Sequence, residues 1–231
     1  MTATSPNPTS AAPTDRTDPT QAARDDMVAR DIAGRGVTDL RVLAAMREVP
    51  RHLFVLTELV DRAYDDRPLP IGHRQTISQP FIVAFMTEAV RPRPTDRALD
   101  IGTGSGYHAA VLSRLVSRVD SMDIVCPLAD EAKTRLAALS YSNVEVTCGN
   151  GWAGKPERAP FDIIVVAAAP ELIPQPLLDQ LAPGGRLIIP IGPQTFEGQE
   201  LKLIEKSLDG TLTERAILPV RFVPMTGRPT D

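Results

Sequence analysis

ALDIGTGSGYHAAVL, residues 98–112, is the stretch around which the rest of the chain organises itself. A strand ends at Asp100–Ile101, Gly102, Gly104 and Gly106 turn the chain, and a helix opens at Tyr107. Glycines at such a turn let backbone N–H groups approach a ligand closely, with a helix N-terminus behind them. By itself this places a nucleotide-like ligand at the end of a sheet strand.

Working outward, the pattern keeps alternating. After the helix YHAAVLSRLV come a strand RVDSMDIV (118–125), a helix LADEAKTRLAALS (128–140) and a strand NVEVTC (143–148). FDIIVVAAA (161–169) is a nearly continuous apolar run, as expected for a central parallel strand covered on both faces. IPQPLLDQLAPGG (173–185) reads as a helix closed by a Pro-Gly-Gly turn, and RLIIPIG (186–192) as a fifth strand. LKLIEKSLDGTLTERAILPV (201–220) reads as two antiparallel strands around Asp209–Gly210. The sum is an α/β chain: a doubly wound, Rossmann-like, mostly parallel sheet with a C-terminal antiparallel hairpin.

The glycine spacing separates two cofactor classes. A dinucleotide loop, G-x-G-x-x-G, needs its third glycine at position 107, which is Tyr107. The observed D-x-G-x-G-x-G form, with Asp100 two residues before Gly102, fits S-adenosylmethionine better. That molecule has no pyrophosphate, and its sulfonium and amino groups tolerate a nearby carboxylate. Asp123, on the second strand, is placed to accept from ribose hydroxyls, a device that dinucleotide enzymes share. A plain strand-to-helix turn without ligand is the remaining reading.

Upstream, residues 1–21 are rich in Thr, Pro, Ser and Ala, lack apolar anchors and read as a disordered tail. Residues 22–231 form one domain, helical and loop-rich over 22–96 and sheet-forming over 97–231. A first helix runs to Gly34 or Gly36; a second follows, with Thr38 as N-cap and Leu40, Leu43, Ala44 and Met46 as its apolar face. Residues 51–79 are irregular apart from a helical turn near 57–64, and a long loop inside a compact domain is usually functional. Pro80 then opens a helix at its first turn. Twenty-five basic against twenty-nine acidic residues, with no basic stripe, argue against nucleic acid. No apolar run approaches the roughly 20 residues that cross a bilayer, and no signal-peptide pattern is present. Cys126 and Cys148 read as reduced thiols of a cytoplasmic protein, and no metal-site spacing occurs.

PLPIGHRQTISQPFIVAFMTEAV (68–90), the glycine stretch, APFDIIVVAAAPELIPQPLLDQLAPGGRLIIPIG (159–192), PVRFVPMTG (219–227) and RVLAAMREVPRHLFV (41–55) together resemble the protein-L-isoaspartate O-methyltransferase family. The resemblance runs in order from about residue 22 to the C-terminus. It implies transfer of a methyl group from S-adenosyl-L-methionine to the free carboxylate of isoaspartyl residues in damaged proteins and peptides; the sequence leaves the oligomeric state open, with a monomer favoured. The resemblance also implies Ser78 as the active-site hydroxyl, and cofactor contacts from Gln75, Thr76, Ile77, Asp100, Gly102, Gly104, Gly106, Asp123, Ile124, Asn150, Gly151 and Thr226. Trp152 is placed to flank the adenine, whereas His52, His73 and His108 read as structural or surface residues.

Two positions depart from the family pattern. CGNGW (148–152) carries Asn150 where the family usually has an Asp that binds the adenine amino group, and Arg74 stands where Gly is common. An Asn oxygen can accept the same bond, losing about 1 kcal/mol of charge assistance, so Asn150→Asp is expected to tighten cofactor binding. The departures leave room for a relative specialised for Asp in one partner peptide. A non-catalytic cofactor-binding protein and, more distantly, a nicotinamide dehydrogenase are the other rivals.

Overall fold

The sheet predicted around the glycine loop is present, and its strand order explains where the loop ends up. The computed structural model describes residues 19–193 and 198–227; most of the tail expected over 1–21 lies outside these residues. β1 (Leu69–Gly72) and β2 (Gln75–Ile77) make a small antiparallel ribbon. β3 (Arg97–Ile101), β4 (Arg118–Asp123), β5 (Val144–Cys148), β6 (Phe161–Val166), β7 (Leu181–Ile191), β8 (Gln199–Lys206) and β9 (Leu212–Val220) form one seven-stranded sheet in the order 5-4-3-6-7-8-9. Strands 3 to 7 pair in parallel and β8 and β9 antiparallel, with Asp209–Gly210 in the turn between them. The order reverses beside β3, and ligands bind in α/β sheets outside the carboxyl ends of strands at such a point.

The helices are α1 (Gln21–Asp26), α2 (Leu40–Glu48), α3 (Pro80–Ala89), α4 (Tyr107–Ser113), α5 (Cys126–Ala138) and α6 (Gln175–Asp179). They sandwich the sheet between two apolar layers. One layer packs Val83, Ala109, Leu112, Val119, Leu128 and Ile163 together with α2 and the segment after α1. The other packs Leu99, Ile164, Leu177, Leu187 and Ile204. The apolar run of β6 is buried on both faces, as its composition predicts.

Several expectations are corrected. Thr20 and Gln21, read as tail, belong to the fold: the Thr20 hydroxyl lies 3.1 Å from His52 Nδ1, and Gln21 starts α1. Asp39 caps α2, accepting from the Arg41 amide, because Thr38 turns away and donates its amide to Glu88. The buried face of α2 is Val42, Leu43, Ala45 and Met46, while Leu40 is 79 % exposed. α6 stops at Asp179, and Leu181–Gly185 already belongs to β7, pairing with β6 through a shift in register. Cys126 and Cys148 are joined in a disulfide, with Cα atoms 4.9 Å apart. Parallel pairing sets Cys148 opposite Asp123, and the chain has turned into α5 by Cys126. Alkylation of the unreduced protein is therefore expected to find no reactive thiol. No helix among the described residues is long and apolar enough to cross a membrane.

Candidate active site

At the carboxyl end of β3 the chain cannot continue as ordinary L-residues. Gly102, Gly104 and Gly106 have φ of +90°, +53° and +90°, conformations that cost a side-chain-bearing residue strain. The turn is held from the neighbouring strand: the Gly102 amide donates to the Met122 carbonyl (2.8 Å) and the Gly104 amide to Asp123 Oδ2 (2.8 Å). Asp123 Oδ1 accepts from the Val125 amide at 2.9 Å. Each carboxylate oxygen retains a lone pair for a further donor. One side chain thus ties the glycine turn to the next loop and lines the cleft beside them.

These loops border a cleft of about 860 Å³, open solvent at its mouth included. Gln75, Thr76, Ile77, Ser78, Gly102, Gly104, Asp123, Ile124, Gly151 and Thr226, all predicted from sequence, line it. Gly151 is confined there, since a Cβ would collide with Ile101 Cγ2. Three predicted residues do not line it. Gly106 packs toward Leu136 and Ala132, below the turn. Asp100 is fully buried beneath the loop, accepting from the Ser121 hydroxyl at 2.7 Å, and its Oδ1 has no partner among the described residues. The Ser121 hydroxyl in turn lies 2.6 Å from that of Thr103, which does face the cleft.

Asn150 is the third. Its Nδ2 donates to the Gly227 carbonyl at 2.6 Å and its Oδ1 accepts from the Trp152 amide at 3.1 Å, so both ends of the amide are engaged. The residue latches the C-terminal segment over the cleft. An Asp there would set a carboxylate against the Gly227 carbonyl, which reverses the expectation from sequence. Asn150→Asp is expected to bind S-adenosylhomocysteine no more tightly than wild type and to melt earlier. Tighter binding by calorimetry would show that the latch is dispensable.

The active loop is shaped by a hairpin that the sequence did not announce. His73 and Arg74 occupy the turn between β1 and β2 at φ +50° and +59°, a geometry that Asn and Gly normally advertise. Arg74 is exposed and lines neither this cleft nor its neighbour, so its departure from the family pattern stays outside both. Pairing of Ile77 with Leu69 and Thr76 with Pro70 then delivers Ser78 to the cleft. Among the described residues the Ser78 hydroxyl makes no hydrogen bond within the protein. A second groove, lined in part by Phe81, Ile82, Leu218 and Phe222, meets the cleft at Thr76, Ser78, Ala167, Val223 and Pro224.

Sequence reasoning did not name Val83, Ile101, Thr103, Ser105, Tyr107, Met122, Val125, Ala167, Ala168, Val223, Pro224 or Met225 as lining residues, and it read His108 as a structural or surface residue. Most of them lie in stretches that carry the resemblance, but their side chains are largely apolar and mark no ligand chemistry. The parallel bridge Ala169–Pro224 brings the 219–227 segment to the end of β6. His108 is buried, with Nε2 3.1 Å from the Thr87 hydroxyl, and desolvation pushes its pKa down from 6.5 to about 4. Burial pushes the Asp100 carboxyl up from 3.8 to about 6, against the opposing bond from Ser121.

These two shifts have opposite consequences for stability. As pH falls from 6.5 towards 4, the unfolded chain gains a proton on His108 that the folded protein refuses, so stability is lost. As pH rises from 3.8 towards 6, the unfolded chain loses the Asp100 proton that the folded protein keeps, and stability is lost in that direction. Replacing His108 by Gln is expected to flatten the fall in urea midpoint below pH 6.5, while Asp100→Asn should steepen it. Unchanged slopes would remove both groups from the acid response.

Comparison with known proteins agrees with this geometry. Residues 22–230 match the family model described as protein-L-isoaspartate(D-aspartate) O-methyltransferase (PCMT). A protein-L-isoaspartate O-methyltransferase of Synechococcus sp. (strain JA-2-3B'a(2-13)) is 51% identical over 218 residues, 92% of this chain and 89% of that one. One of Gloeobacter violaceus is 54% identical over 200 residues, covering 87% and 97%. Among solved structures, a protein-L-isoaspartate O-methyltransferase superposes with a TM-score of 0.80 at 31% identity, covering 88% of this chain and 66% of the other. A Plasmodium falciparum structure assigned to the same enzyme, in complex with S-adenosyl-L-homocysteine, gives 0.75 at 25% identity, covering 88% and 98%. On sequence, fold and the placement of its glycine turn, the chain belongs to the protein-L-isoaspartate(D-aspartate) O-methyltransferase family.

Proposed function

We propose that this protein transfers the methyl group of S-adenosylmethionine to the free carboxylate of L-isoaspartyl residues in damaged proteins and peptides. The observation that carries the reading is the position of Ser78, an unengaged hydroxyl where the cofactor cleft opens into the neighbouring groove. The cleft fits the cofactor: Asp123 presents acceptors for ribose hydroxyls, and Gly104 leaves a close approach that a Cβ, 3.2 Å from Ile71, would narrow. Gln75, Thr76, Ile77, Gly102, Gly104, Ile124, Gly151 and Thr226 would complete its walls. Asp100, Gly106 and Asn150 would act from behind them, by shaping the turn and the latch.

When bound, the cofactor supplies a methyl group activated by a sulfonium. The chain's own contribution is orientation. A carboxylate with a pKa near 4 is already ionised at neutral pH, so no side chain has to remove a proton. Ser78 donates one hydrogen bond to the acceptor carboxylate and aligns it without neutralising it as a Lys or Arg would. Holding the reacting atoms within roughly 3–3.5 Å in line then accounts for most of the acceleration. Methylation turns an unreactive carboxylate into a neutral ester, whose carbonyl the neighbouring amide nitrogen attacks; the C–OCH3 bond breaks, methanol leaves with the amide proton, and the succinimide closes without further help. Monomeric action in the cytoplasm is part of this proposal, although a disulfide such as Cys126–Cys148 is commoner in oxidising compartments.

Matched isoAsp and Asp peptides test it, because they contain the same atoms and differ only in where the backbone runs. Discrimination must come from hydrogen bonds that align in one isomer and stay unpaired in the other. The isoAsp peptide is expected to be methylated at least about 100-fold more efficiently. Comparable, poor rates on both, with rapid methylation of an Asp in one particular partner peptide, would replace repair by a dedicated modification. No transfer to any acceptor, with S-adenosylhomocysteine still bound, would leave a cofactor-binding protein.

A further inference from the structure

Among the described residues the Ser78 hydroxyl has no bond of its own, so its position is set by the backbone on either side. On the N-terminal side, Ile77 is held by pairing with Leu69. On the C-terminal side stand Gln79 and the start of α3, and there an N-cap is missing: Gln79 makes no side-chain bond to the helix amides. The bond comes from far back in the chain. Asp66 Oδ1 accepts from the Phe81 amide at 3.0 Å. Its Oδ2 accepts from Gln79 Nε2 at 2.7 Å, and the same Nε2 lies 3.0 Å from the Asp66 carbonyl. Arg35 Nη1 completes the set, 2.6 Å from Oδ2, with its guanidinium 3.7 Å from the centre of the Phe81 ring.

Asp66 therefore grips the residue after Ser78 by its side chain and the helix behind it by its backbone. Only Arg67 and Pro68 separate Asp66 from β1, the strand that holds the residue before Ser78. Both flanks of the hydroxyl are tied to one short segment, 66–69. The Asp66 carboxylate is only 15% exposed, against 47% for the Arg35 side chain, so its bonds are shielded from competing water. Asp66 itself lines neither the cleft nor the groove, whereas Arg35, Gln79 and Phe81 line the groove. Direct contact with substrate is thus left to its partners.

We infer that Asp66 is the positioning residue for Ser78, holding the hydroxyl in line through Gln79 and the N-terminus of α3. The inference rests on the carboxyl-methylation reading above. It separates two things that a general loss of structure would not separate: alignment of the acceptor and binding of the cofactor. The cofactor cleft is closed on its far side by Asp123 and the 150–151 loop, which Asp66 does not touch.

The test compares Asp66→Ala and Asp66→Asn with wild type on an isoAsp peptide. Asp66→Ala is expected to lower kcat by roughly tenfold or more, the scale of a lost alignment, with KM for the peptide and Kd for S-adenosylhomocysteine within about twofold. Asp66→Asn keeps an acceptor for the Phe81 amide but turns its amino group toward Gln79 Nε2 and Arg35 Nη1, so it should recover part of that loss. Unchanged kcat in folded Asp66→Ala would overturn the inference, as would equal losses of kcat and S-adenosylhomocysteine affinity that Asn does not repair. Should the Ala variant not fold, Asp66→Glu, which keeps the charge but moves it by a methylene, is expected to show the same kcat-selective loss; wild-type kcat would overturn it. Hydrogen exchange at the Phe81 amide needs no turnover and is expected to accelerate in Asp66→Ala. If wild type itself methylates neither peptide, the functional reading fails, and that exchange rate still decides whether Asp66 clamps the loop.

Discussion

Replacing Ser78 by Ala is expected to lower turnover on an isoaspartyl peptide by about 10–100-fold, the scale of one orienting bond to a charged group. Affinity for S-adenosylhomocysteine should stay within about twofold, because Ser78 stands where the cofactor cleft meets the groove and has no partner among the described residues to leave stranded. For the same reason the melting temperature should barely move: no hydrogen bond among the described residues is lost. Single-turnover rates with saturating cofactor check the first statement and calorimetry the second. A Ser78→Ala enzyme with full turnover would mean that alignment comes from backbone amides or from Thr76, and the role assigned to the hydroxyl would fall. Thr at position 78, which keeps the hydroxyl but adds a methyl group, should retain more activity than Ala.

Asp123→Ala should weaken S-adenosylhomocysteine binding by at least about tenfold, since a charge-assisted bond contributes roughly 1.5–3 kcal/mol. The structure argues for the upper part of that range. The carboxylate also receives the Gly104 and Val125 amides, at 2.8 and 2.9 Å, so its removal loosens the two loops that shape the adenosine end. Asp123→Asn is expected to fall between, because its amide keeps one acceptor but turns a donor toward one of those N–H groups. Peptide KM, measured at saturating cofactor, should change little. Full affinity in a folded Asp123→Ala variant would remove the residue from the ribose site.

How much of this could be read from the chain depends on whether the cause is local. The glycine turn was legible because three positive-φ positions in five residues demand glycine wherever the fold puts them. The β6 run was legible because a strand covered on both faces has no polar phase to interrupt it. The line of Ser78, Asp123, Gly151 and Thr226 around one cleft came with the resemblance, and the structure brings them together. The β1–β2 ribbon was not legible: His73–Arg74 adopts its turn because Leu69, Ile71 and Ile77 are buried against the core, not because those two residues favour it.

The remaining differences share one physical origin. Asn150 looked like a weakened adenine ligand until the C-terminal segment, folded back beside β6, supplied the Gly227 carbonyl 77 positions away. Cys126 and Cys148 looked independent until parallel pairing of β4 with β5 set them side by side. Asp66 was one more carboxylate in the sequence, and Asp100 read as a cofactor contact. In the fold one caps a helix 15 positions on, and the other is sealed under a loop where desolvation holds its proton to about pH 6. Periodicity and φ preference are properties of a few consecutive residues, so the chain itself determined the alternating strands of the main sheet, the glycine turn and the class of ligand. Hydrogen-bond partners and solvent access are properties of space, so only the tertiary structure decided which polar side chains face the cleft and which hold its walls.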